Sequence, residues 1–240
     1  MEQIKKIALW SGPRNISTAL MYSFANRSDT AVVDEPLFGY FLEHTGVWRP
    51  SREEVLATME TDASNIVDTL INPPTDMPVY FMKHMANHVA GLELDFLQEF
   101  DNILLIRDPK DVLLSYSRNV TEPTLLDTAY KMQLELLDFF TKNSIPYVIL
   151  NAKNVLLNPE NQLTALCENM NISFQHSMLD WEAGPRHEDG IWAKYWYESV
   201  HKSTGFVPYK EKNETMPPNL HSLYHECMYF YEKMEHLALT

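Results

Sequence analysis

Residues 4–20 read IKKIALWSGPRNISTAL, and this stretch decides the architecture of the chain. Ile4 to Trp10 predicts a short buried strand, and the Ser-Gly-Pro-Arg-Asn that follows breaks it. Ser17 to Asn26 carries interleaved apolar residues, which predict a helix. A strand, a tight turn and a helix in this order point several backbone N–H groups and the positive end of the helix dipole at one spot. The segment therefore predicts a binding site for a phosphate or sulfate group.

Side chains of the same turn favour an anion as well. Arg14 places a full cation at the mouth of the site, and the hydroxyls of Ser17 and Thr18 are expected to cap the helix and to donate to oxygen. The second Gly and the Lys of the triphosphatase signature G-x-x-x-x-G-K-[ST] are missing, so we favour a ligand that needs no metal. An ordinary strand–helix turn with a capping serine is the alternative interpretation of this segment alone.

The rest of the chain alternates short apolar runs with helical patterns. Further strands are predicted at Thr30–Val33, Val79–Met82, Asn102–Ile106 and Pro146–Leu150. Helices are predicted at Glu53–Ile71, Phe96–Phe100, Asp111–Arg118, Leu125–Thr141, Asn161–Met170 and Leu220–Leu237. Such alternation is typical of a parallel sheet covered on both faces. We expect an α/β protein, a three-layer P-loop-type sandwich, forming a single domain over residues 1–240. Its aromatic-rich segment at about 180–218 is too long for a plain connection and predicts a lid or binding segment.

Composition excludes several classes of function. The 240 residues carry 19 Lys and Arg against 33 Asp and Glu, a formal net charge of −14. This balance disfavours nucleic acid or an anionic membrane as a partner, although a few placed cations can hold a small anion. Cys167 and Cys227 are the only cysteines, too few for a disulfide framework or a four-cysteine zinc site. The first residues do not read as an export signal, and no run approaches the roughly 20 apolar residues of a membrane span, so we expect a cytoplasmic protein. Its oligomeric state is not indicated.

Residues 103–118, ILLIRDPKDVLLSYSR, form a second strand, turn and helix. Arg107 ends the strand, and Asp111 and Ser115 follow at intervals of four, so the last two share one helix face. Arg107 and Ser115 could together hold a phosphate, with Asp111 orienting the arginine or the loop. A surface ion pair with a helix cap is the alternative.

Together the two segments resemble the cytosolic-type sulfotransferases that use 3′-phosphoadenosine-5′-phosphosulfate. In that family a P-[KR]-[SN]-x-[ST]-T loop holds the 5′-phosphosulfate, and an Arg and a Ser eight residues apart hold the 3′-phosphate. The loop here reads Pro13-Arg14-Asn15-Ile16-Ser17-Thr18, and Arg107 and Ser115 have the second spacing. The resemblance covers roughly residues 4–175 and includes the later strand, loop and helix, VILNAKNVLLNPENQLTALCENMNISF.

The sequence departs from the family pattern at several positions. Arg14 stands where the best-studied members carry a catalytic Lys, although many relatives have Arg. Asn151 and Asn154 occupy positions where acids are usual. The family's C-terminal Arg-Lys-Gly loop, which helps to clamp the 3′-phosphate, has no clear counterpart. Arg186 and Lys194 are the candidate cations in the C-terminal part of this chain, but they do not align with that loop residue by residue.

The resemblance implies sulfuryl transfer to a hydroxyl or amine of a small organic acceptor, with 3′-phosphoadenosine 5′-phosphate as the second product and no metal. Arg14 and the loop N–H groups would stabilise the leaving phosphate. We expect His84 to be the base, because it follows the third predicted strand where the family carries a Lys/Thr-His element. Glu35, which ends the second strand, is the rival base. Lys83 either contacts the phosphosulfate bridge or points away from it. His88 lies four residues after His84, but no third metal ligand is evident.

Two alternative functions stay open at this point. A degenerate P-loop kinase or nucleotide phosphohydrolase would need ATP with Mg²⁺ and would show no preference for a 3′-phosphate. A non-catalytic nucleotide-binding module would bind the bisphosphate without turnover. The aromatic residues of Trp181–Phe206 are expected to stack on adenine, to line an acceptor pocket or simply to cover the sheet.

Overall fold

The computed structural model describes residues 4–240 and is built on one five-stranded sheet with the strand order β2-β3-β1-β4-β5. The strands are β1 Lys5–Ser11, β2 Thr30–Asp34, β3 Val79–Met85, β4 Asp101–Ile106 and β5 Tyr147–Asn151. All neighbouring strands are parallel. This arrangement confirms the predicted α/β fold, and it places the carboxyl ends of all five strands at one edge, where open α/β sheets bind ligands.

Helices cover both faces of the sheet. They are α1 Ser17–Ala25, α2 Phe38–Thr45, α3 Arg52–Thr58, α4 Ala63–Ile71, α5 Pro109–Tyr116, α6 Leu125–Thr128, α7 Tyr130–Lys142, α8 Ala152–Leu157, α9 Pro159–Asn169, α10 Ala193–Trp196, α11 Glu198–His201 and α12 His221–Glu235. Short 3₁₀ turns lie at Ala86–Val89, Asp95–Glu99, His176–Met178 and Pro218–Leu220. Among the helices of residues 4–240 there is none with the length and apolar character needed to cross a membrane.

The structure divides two of the predicted helices. The helix expected over Glu53–Ile71 is two helices, because Met59 is extended and the side chain of Asp62 caps α4 by accepting hydrogen bonds from the next turn. The helix expected over Leu125–Thr141 is interrupted at Ala129, whose φ of 64° is left-handed. The apolar periodicity continues across both breaks, so the hydrophobic pattern alone did not show them.

The core lies in two layers that follow the alternation of side chains along the strands. On one face Trp10, Met82 and Leu104 pack beneath α7 and α12. On the opposite face Leu9 and Phe81 pack beneath α1 and α9. Each strand is therefore apolar on both sides and reads as a continuous hydrophobic run, which explains why short runs located the strands.

Residues 180–218 run along the carboxyl edge of the sheet and contain α10 and α11. A single antiparallel bridge between Asp180 and Gly205 closes the first part of this segment. Its aromatic residues Trp192 and Tyr197 are buried against Phe38 and Phe41 of α2. The segment therefore forms one wall of the space above the strands. The organisation of residues 1–240 as a single domain stays a prediction.

Candidate anion-binding and transfer site

The turn after β1 opens a cavity of about 480 Å³ at the carboxyl edge of the sheet, and all six residues from Pro13 to Thr18 line it. Arg14 and Ile16 have left-handed backbone conformations, with φ of 57° and 37°. These two residues bend the chain tightly enough to bring consecutive backbone groups to one side of the turn. A non-glycine residue at positive φ carries strain, which is commonly found at ligand-binding turns.

The start of α1 differs from the prediction in one respect. Ile16 is the N-cap residue, and within residues 4–240 its helix end receives no hydrogen bond from a capping side chain. Ser17 and Thr18 therefore line the cavity from inside the first helical turn and are not caps. No side chain of residues 4–240 caps the N–H groups of this turn, which leaves them suited to an anion.

Gly12 allows the turn to lie close to its neighbour. A Cβ atom at this position would stand 2.6 Å from the carbonyl oxygen of Thr128, at the end of α6. Real Cβ atoms do not approach backbone oxygens so closely, so glycine is required for this packing. The contact fixes the turn against the α6–α7 junction.

Arg14, Arg107 and Ser115 form one connected group in the cavity wall. Arg107 Nη1 donates to the Arg14 carbonyl oxygen at 3.0 Å, and Arg14 Nε donates to Ser115 Oγ at 2.9 Å. Asp111 Oδ2 lies 3.5 Å from Arg107 Nη2, an ion pair between residues four apart, and the orienting role of Asp111 stays a prediction. The two distant motifs of the sequence therefore meet in one cavity.

The electrostatics of this group favour a bound anion. Burial lowers the pKa of Arg14, and the positive charges of Arg107 and Arg118 lower it further. Three guanidinium groups thus repel one another in the same cavity wall, with Asp111 and Glu214 paired to two of them. An anion placed among them would relieve this repulsion.

The segment from 180 to 218 adds further groups to the cavity. Trp192, Trp196 and Tyr197 line it, and the Trp196 carbonyl oxygen accepts a hydrogen bond from Arg14 Nη1 at 3.3 Å. Lys210 and Lys212 line it too, and Lys212 Nζ donates to the Asp111 carbonyl oxygen at 2.8 Å. The aromatic residues of the predicted lid or binding segment thus lie at the site.

Lys210 and Lys212 were missed by the sequence reasoning, which considered Arg186 and Lys194 as the cations of this segment. Arg186 lies away from the cavity and donates to Asn26 Oδ1 at 3.0 Å, and Lys194 pairs with Glu54 at 2.8 Å. The run Tyr-Lys-Glu-Lys at 209–212 was the available signal, but two lysines in a polar stretch look like ordinary surface residues.

Lys83 lies at the centre of a buried ionic cluster beside the cavity. Its Nζ atom contacts Asp34 Oδ1 at 2.9 Å, Glu35 Oε1 at short range and the Tyr197 hydroxyl at 2.6 Å. Tyr197 donates to Asp34 Oδ2 at 2.7 Å and accepts from Trp192 Nε1 at 3.1 Å. The cluster joins the ends of β2 and β3 to the segment at 180–218.

Three titratable groups of this cluster, Glu35, Lys83 and Tyr197, line the cavity and have shifted pKa values, and burial is the main cause of the raised pKa of Tyr197. Burial raises the pKa of Glu35 and outweighs the opposing attraction of Lys83. For Lys83, burial acts to lower the pKa, but the charges of Asp34 and Glu35 outweigh it and hold the pKa well above its usual range. Lys83 is therefore a fixed cation, and Glu35 is a carboxylate with increased proton affinity at the cavity wall.

His84, the first choice for the base, lies outside the cavity. Strand β3 extends to Met85, so Lys83 and His84 are both inside the strand and point to opposite faces. The His84 ring stacks on Trp10 at 4.2 Å, fully buried, and within the described part of the chain neither ring nitrogen has a hydrogen-bond partner. Burial, with a smaller contribution from Lys83, lowers its pKa to about 3. This position gives His84 no contact with a group bound in the cavity.

His88, which the sequence suggested only as a weak metal ligand, lines the cavity. Residues 4–240 contain no cluster of three or more His, Cys, Asp or Glu side chains that could hold a metal ion. Its neighbour Asn87 lines the same wall. A shared face for His84 and His88 required this stretch to be helical, whereas His84 lies in strand β3 and His88 in the 3₁₀ turn after it.

The sheet, the turn and the cavity are those of a P-loop-like α/β fold. The cavity lies next to a helix end that no side chain caps within residues 4–240, and it is lined by cations, which suits an anionic ligand. The family model described as "Sulfotransferase domain" matches residues 5–238, and the chain belongs to this family. The sulfotransferase domain from the Synechococcus PCC 7002 olefin synthase shares the fold, with a TM-score of 0.57 at 13% identity over 98% of this chain and 97% of that one.

Two proteins of Arabidopsis thaliana are similar in sequence. Branched-chain-amino-acid aminotransferase-like protein 2 is 38% identical over 226 residues, which are 94% of this chain and 40% of the relative. Branched-chain-amino-acid aminotransferase-like protein 1 is 37% identical over 232 residues, 96% of this chain and 42% of the relative. The chain therefore spans about two fifths of the length of these relatives.

Proposed function

We propose that the protein transfers a sulfuryl group from 3′-phosphoadenosine-5′-phosphosulfate to a hydroxyl or amine of a small organic acceptor. The observation that carries this proposal is the contact between the two motifs, in which Arg107 donates to the Arg14 carbonyl oxygen within one cavity. A ligand with an anionic group at each end matches two cationic groups joined in this way. The aminotransferase-like names belong to relatives that this chain matches over about two fifths of their length.

The donor would be held by both halves of the cavity. Arg14 and the N–H groups of residues 15–18 would bind the 5′-phosphosulfate, and Arg107 with Ser115 would bind the 3′-phosphate. Lys210 and Lys212 would then supply the clamp for which the sequence showed no clear counterpart. As the bond from sulfur to the phosphate oxygen breaks, negative charge develops on the leaving phosphate, and Arg14 would stabilise that charge.

Glu35 is the residue that we propose as the base. The acceptor oxygen or nitrogen forms a bond to sulfur, the bond from sulfur to the donor's bridging oxygen breaks, and the acceptor proton passes to the Glu35 carboxylate. Glu35 lines the cavity, and its raised pKa makes it a stronger base than an ordinary carboxylate. Lys83 holds the carboxylate in place from the buried side. His84 stays the alternative candidate for the base, but its ring lies outside the cavity, so it would act on the acceptor only indirectly.

The first experiment compares ligands by thermal shift. A ligand that binds only the folded state raises the melting temperature. We expect a selective rise with 3′-phosphoadenosine 5′-phosphate over AMP and over ATP with Mg²⁺. A larger rise with ATP and Mg²⁺ would instead favour the kinase or phosphohydrolase, and would overturn the proposal.

The second experiment measures transfer of labelled sulfate from the donor to a panel of alcohols and amines. Glu35→Gln should lower turnover by roughly 10² to 10⁴-fold, the usual contribution of a general base, and should remove the loss of activity at low pH that comes from protonating Glu35. Glu43→Gln on the exposed side of α2 is the matched control. Bisphosphate binding with no turnover of any acceptor would indicate a non-catalytic binding module.

A further inference from the structure

Two adjacent carboxylates at the end of β2 contact one buried ammonium group. Asp34 Oδ1 lies 2.9 Å from Lys83 Nζ, and Glu35 Oε1 contacts the same atom. Neighbouring residues of a regular strand point to opposite faces. Glu35 follows the last residue of β2 and has a left-handed backbone, with φ of 44°, so the alternation ends there and both side chains reach Lys83. A non-glycine residue in this conformation carries strain, which is typical of functional sites.

The N–H groups of Lys83 are all engaged by the protein. An ammonium group has three N–H donors and no acceptor. Three acceptors surround it: Asp34, Glu35 and the Tyr197 hydroxyl oxygen, which lies 2.6 Å from Nζ. Lys83 therefore acts through the residues that it holds and not by a direct hydrogen bond to a ligand.

The charges of this cluster do not balance. One ammonium group cannot neutralise two carboxylates, so with both acids ionised the cluster has an excess negative charge. Asp34 and Glu35 are buried, with exposed fractions of 6% and 7%. A buried charge without a partner is unfavourable. The cluster becomes neutral when one of the two carboxylates takes up a proton.

Hydrogen bonding decides which carboxylate takes the proton. Asp34 accepts from Lys83, from the Tyr197 hydroxyl at 2.7 Å and from the Gly190 N–H at 3.1 Å. Donors that point at a carboxylate favour its charged form. Glu35 lines the cavity, and its side chain is 9% exposed against 1% for Asp34. The proton therefore enters at Glu35, the carboxylate that a ligand in the cavity can reach.

We propose that Asp34 is a positioning residue that makes Glu35 an effective base, because it takes a share of the Lys83 charge and leaves an excess negative charge that a proton on Glu35 removes. In the transfer step the acceptor's O–H or N–H bond breaks, its electron pair forms the bond to sulfur, and its proton binds Glu35. The cluster is then neutral. This inference rests on the proposed function and deepens it, because it names the group that acts through the base.

The groups around the cluster make Glu35 the one whose titration the pH dependence reports. Burial raises the pKa of Glu35, the Lys83 charge opposes this, and the Asp34 charge adds to it. The other titratable groups on the cluster keep one protonation state near neutral pH: Lys83, Tyr197, Tyr22, His84 and His88. Burial raises the pKa of both tyrosines and lowers that of both histidines, and the two carboxylates hold the pKa of Lys83 high against burial.

Asp34→Asn removes the competing charge and keeps the shape of the side chain. Glu35 then receives the whole Lys83 charge and becomes a weaker base. We expect the acidic limb of kcat/KM to move to a pH lower by about 1 or more, and the maximal rate to fall severalfold. The titration of the Glu35 carboxyl carbon, followed by ¹³C NMR, should move in the same way without any turnover. Asp138→Asn, on the exposed side of α7, is the matched control.

Tyr197→Phe supplies a test of opposite sign and keeps the test decisive if Asp34→Asn does not fold. The Phe ring retains the packing against Phe38 and Phe41, and both acids stay in place. Asp34 loses the hydrogen bond from the hydroxyl and draws more strongly on Lys83, which leaves less of that charge for Glu35. The Glu35 titration should therefore move to higher pH. Tyr195→Phe, at a side chain that is 44% exposed, is the control.

The outcomes separate this inference from the proposed function. If no acceptor is sulfated, the proposed function fails, and the NMR titration of Glu35 still tests the role of Asp34. An unchanged Glu35 titration in folded Asp34→Asn would overturn the inference, even if activity were lost, because Asp34 would then be a structural residue only. A Glu35 titration that stays in place or moves to lower pH in Tyr197→Phe would overturn it as well.

Discussion

Arg14 is held in the cavity by contacts from three parts of the chain. Its backbone carbonyl accepts from Arg107, its Nε atom donates to Ser115, and its Nη1 atom donates to the Trp196 carbonyl. Its backbone is also left-handed, which only a well-supported turn tolerates. A side chain restrained in this way can stabilise a developing charge with little reorganisation, which is the basis of the role proposed for it.

Replacing Arg14 should therefore affect chemistry more than folding. We expect Arg14→Ala to lower sulfate transfer by about 10² to 10³-fold, the usual loss when one charge-stabilising donor is removed. The melting temperature should change little, because burial and two like charges already disfavour the guanidinium. Labelled transfer assays and calorimetry measure the two effects, with Arg52→Ala as the control. Retained transfer in Arg14→Ala would contradict the role.

His84 is a buried histidine whose protonation affects the stability of the fold. Its ring is stacked on Trp10 in the apolar layer of the sheet, and its pKa is lowered to about 3. Histidine in an unfolded chain has a pKa of about 6.5, so below that pH the unfolded state binds a proton that the folded state does not. His84 consequently makes stability fall as the pH is lowered, with the loss complete near pH 3.

His84→Phe tests this effect and the choice of base together. Between about pH 7.5 and about pH 5, the wild-type free energy of unfolding should fall by about 2 kcal/mol more than that of the variant. At neutral pH the variant should be as stable as the wild type, because Phe keeps the stacking and removes two polar atoms that the described chain does not satisfy. Urea titrations at both pH values measure this. A large loss of transfer activity in the folded variant would return His84 to consideration as the base.

At the scale of elements, the position of a strand end decides which residues reach the site. The sequence predicts the third strand to stop at Met82, which would leave Lys83 and His84 together in the following loop. The strand continues to Met85, and alternation then sends only Lys83 towards the cavity side. Charged and polar residues rarely lie within a buried strand, so the apolar run alone could not predict this extension.

The segment carrying Lys210 and Lys212 should act as a clamp on the 3′-phosphate. We expect the Lys210→Ala, Lys212→Ala double variant to weaken 3′-phosphoadenosine 5′-phosphate roughly tenfold or more, since one charge-assisted hydrogen bond is worth about that much. AMP, which lacks the 3′-phosphate, should be affected much less. Isothermal titration calorimetry measures both affinities.

Lys194→Ala is the control for this prediction, since Lys194 belongs to the same segment but pairs with Glu54 at the surface. Equal losses for AMP and the bisphosphate in the double variant would show that the two lysines do not read the 3′-phosphate.

At the scale of the whole molecule, the charge of the chain and the charge of the cavity are opposite. The chain carries a formal net charge of −14, and yet one cavity is lined by five cations: Arg14, Arg107, Arg118, Lys210 and Lys212. An anionic ligand is repelled by the overall charge and attracted locally. Both forces act through the solvent, and salt screens them over distances of about 10 Å at 0.1 M ionic strength.

We expect affinity for the bisphosphate to fall as salt is raised, because the local attraction is closer and stronger than the overall repulsion. Between about 0.05 M and about 0.5 M sodium chloride the loss should be several-fold and larger than the loss for adenosine. Calorimetric titrations at constant pH measure it. Affinity that rises with salt would mean that the overall negative charge dominates, and the cavity would not be an anion site.

Much of this organisation was predictable from local sequence signals, because the strands are short, apolar on both sides and followed by characteristic turns. The first turn and the Arg107–Ser115 segment were found in this way, and the structure brings them together. The cavity wall formed by α2 and the turn after β3 was not found. Phe38, Asn87 and His88 come from a helix and a turn that carry no distinctive pattern, and only the packing of α2 against the turn after β3 brings them to one wall.

The hydrogen bond from Arg107 to the carbonyl of Arg14 has a consequence for small ligands. A ligand group that immobilises Arg107 also restrains the loop that carries Arg14, and the converse holds as well. The conformational entropy lost when the first group binds is therefore not lost again when the second group binds. Two separate fragments, such as free sulfate and an adenosine 3′-phosphate, should consequently assist each other, and reciprocity requires the assistance to be equal in both directions. The cavity would then respond to its ligand as one cooperative unit, even when that ligand arrives in pieces.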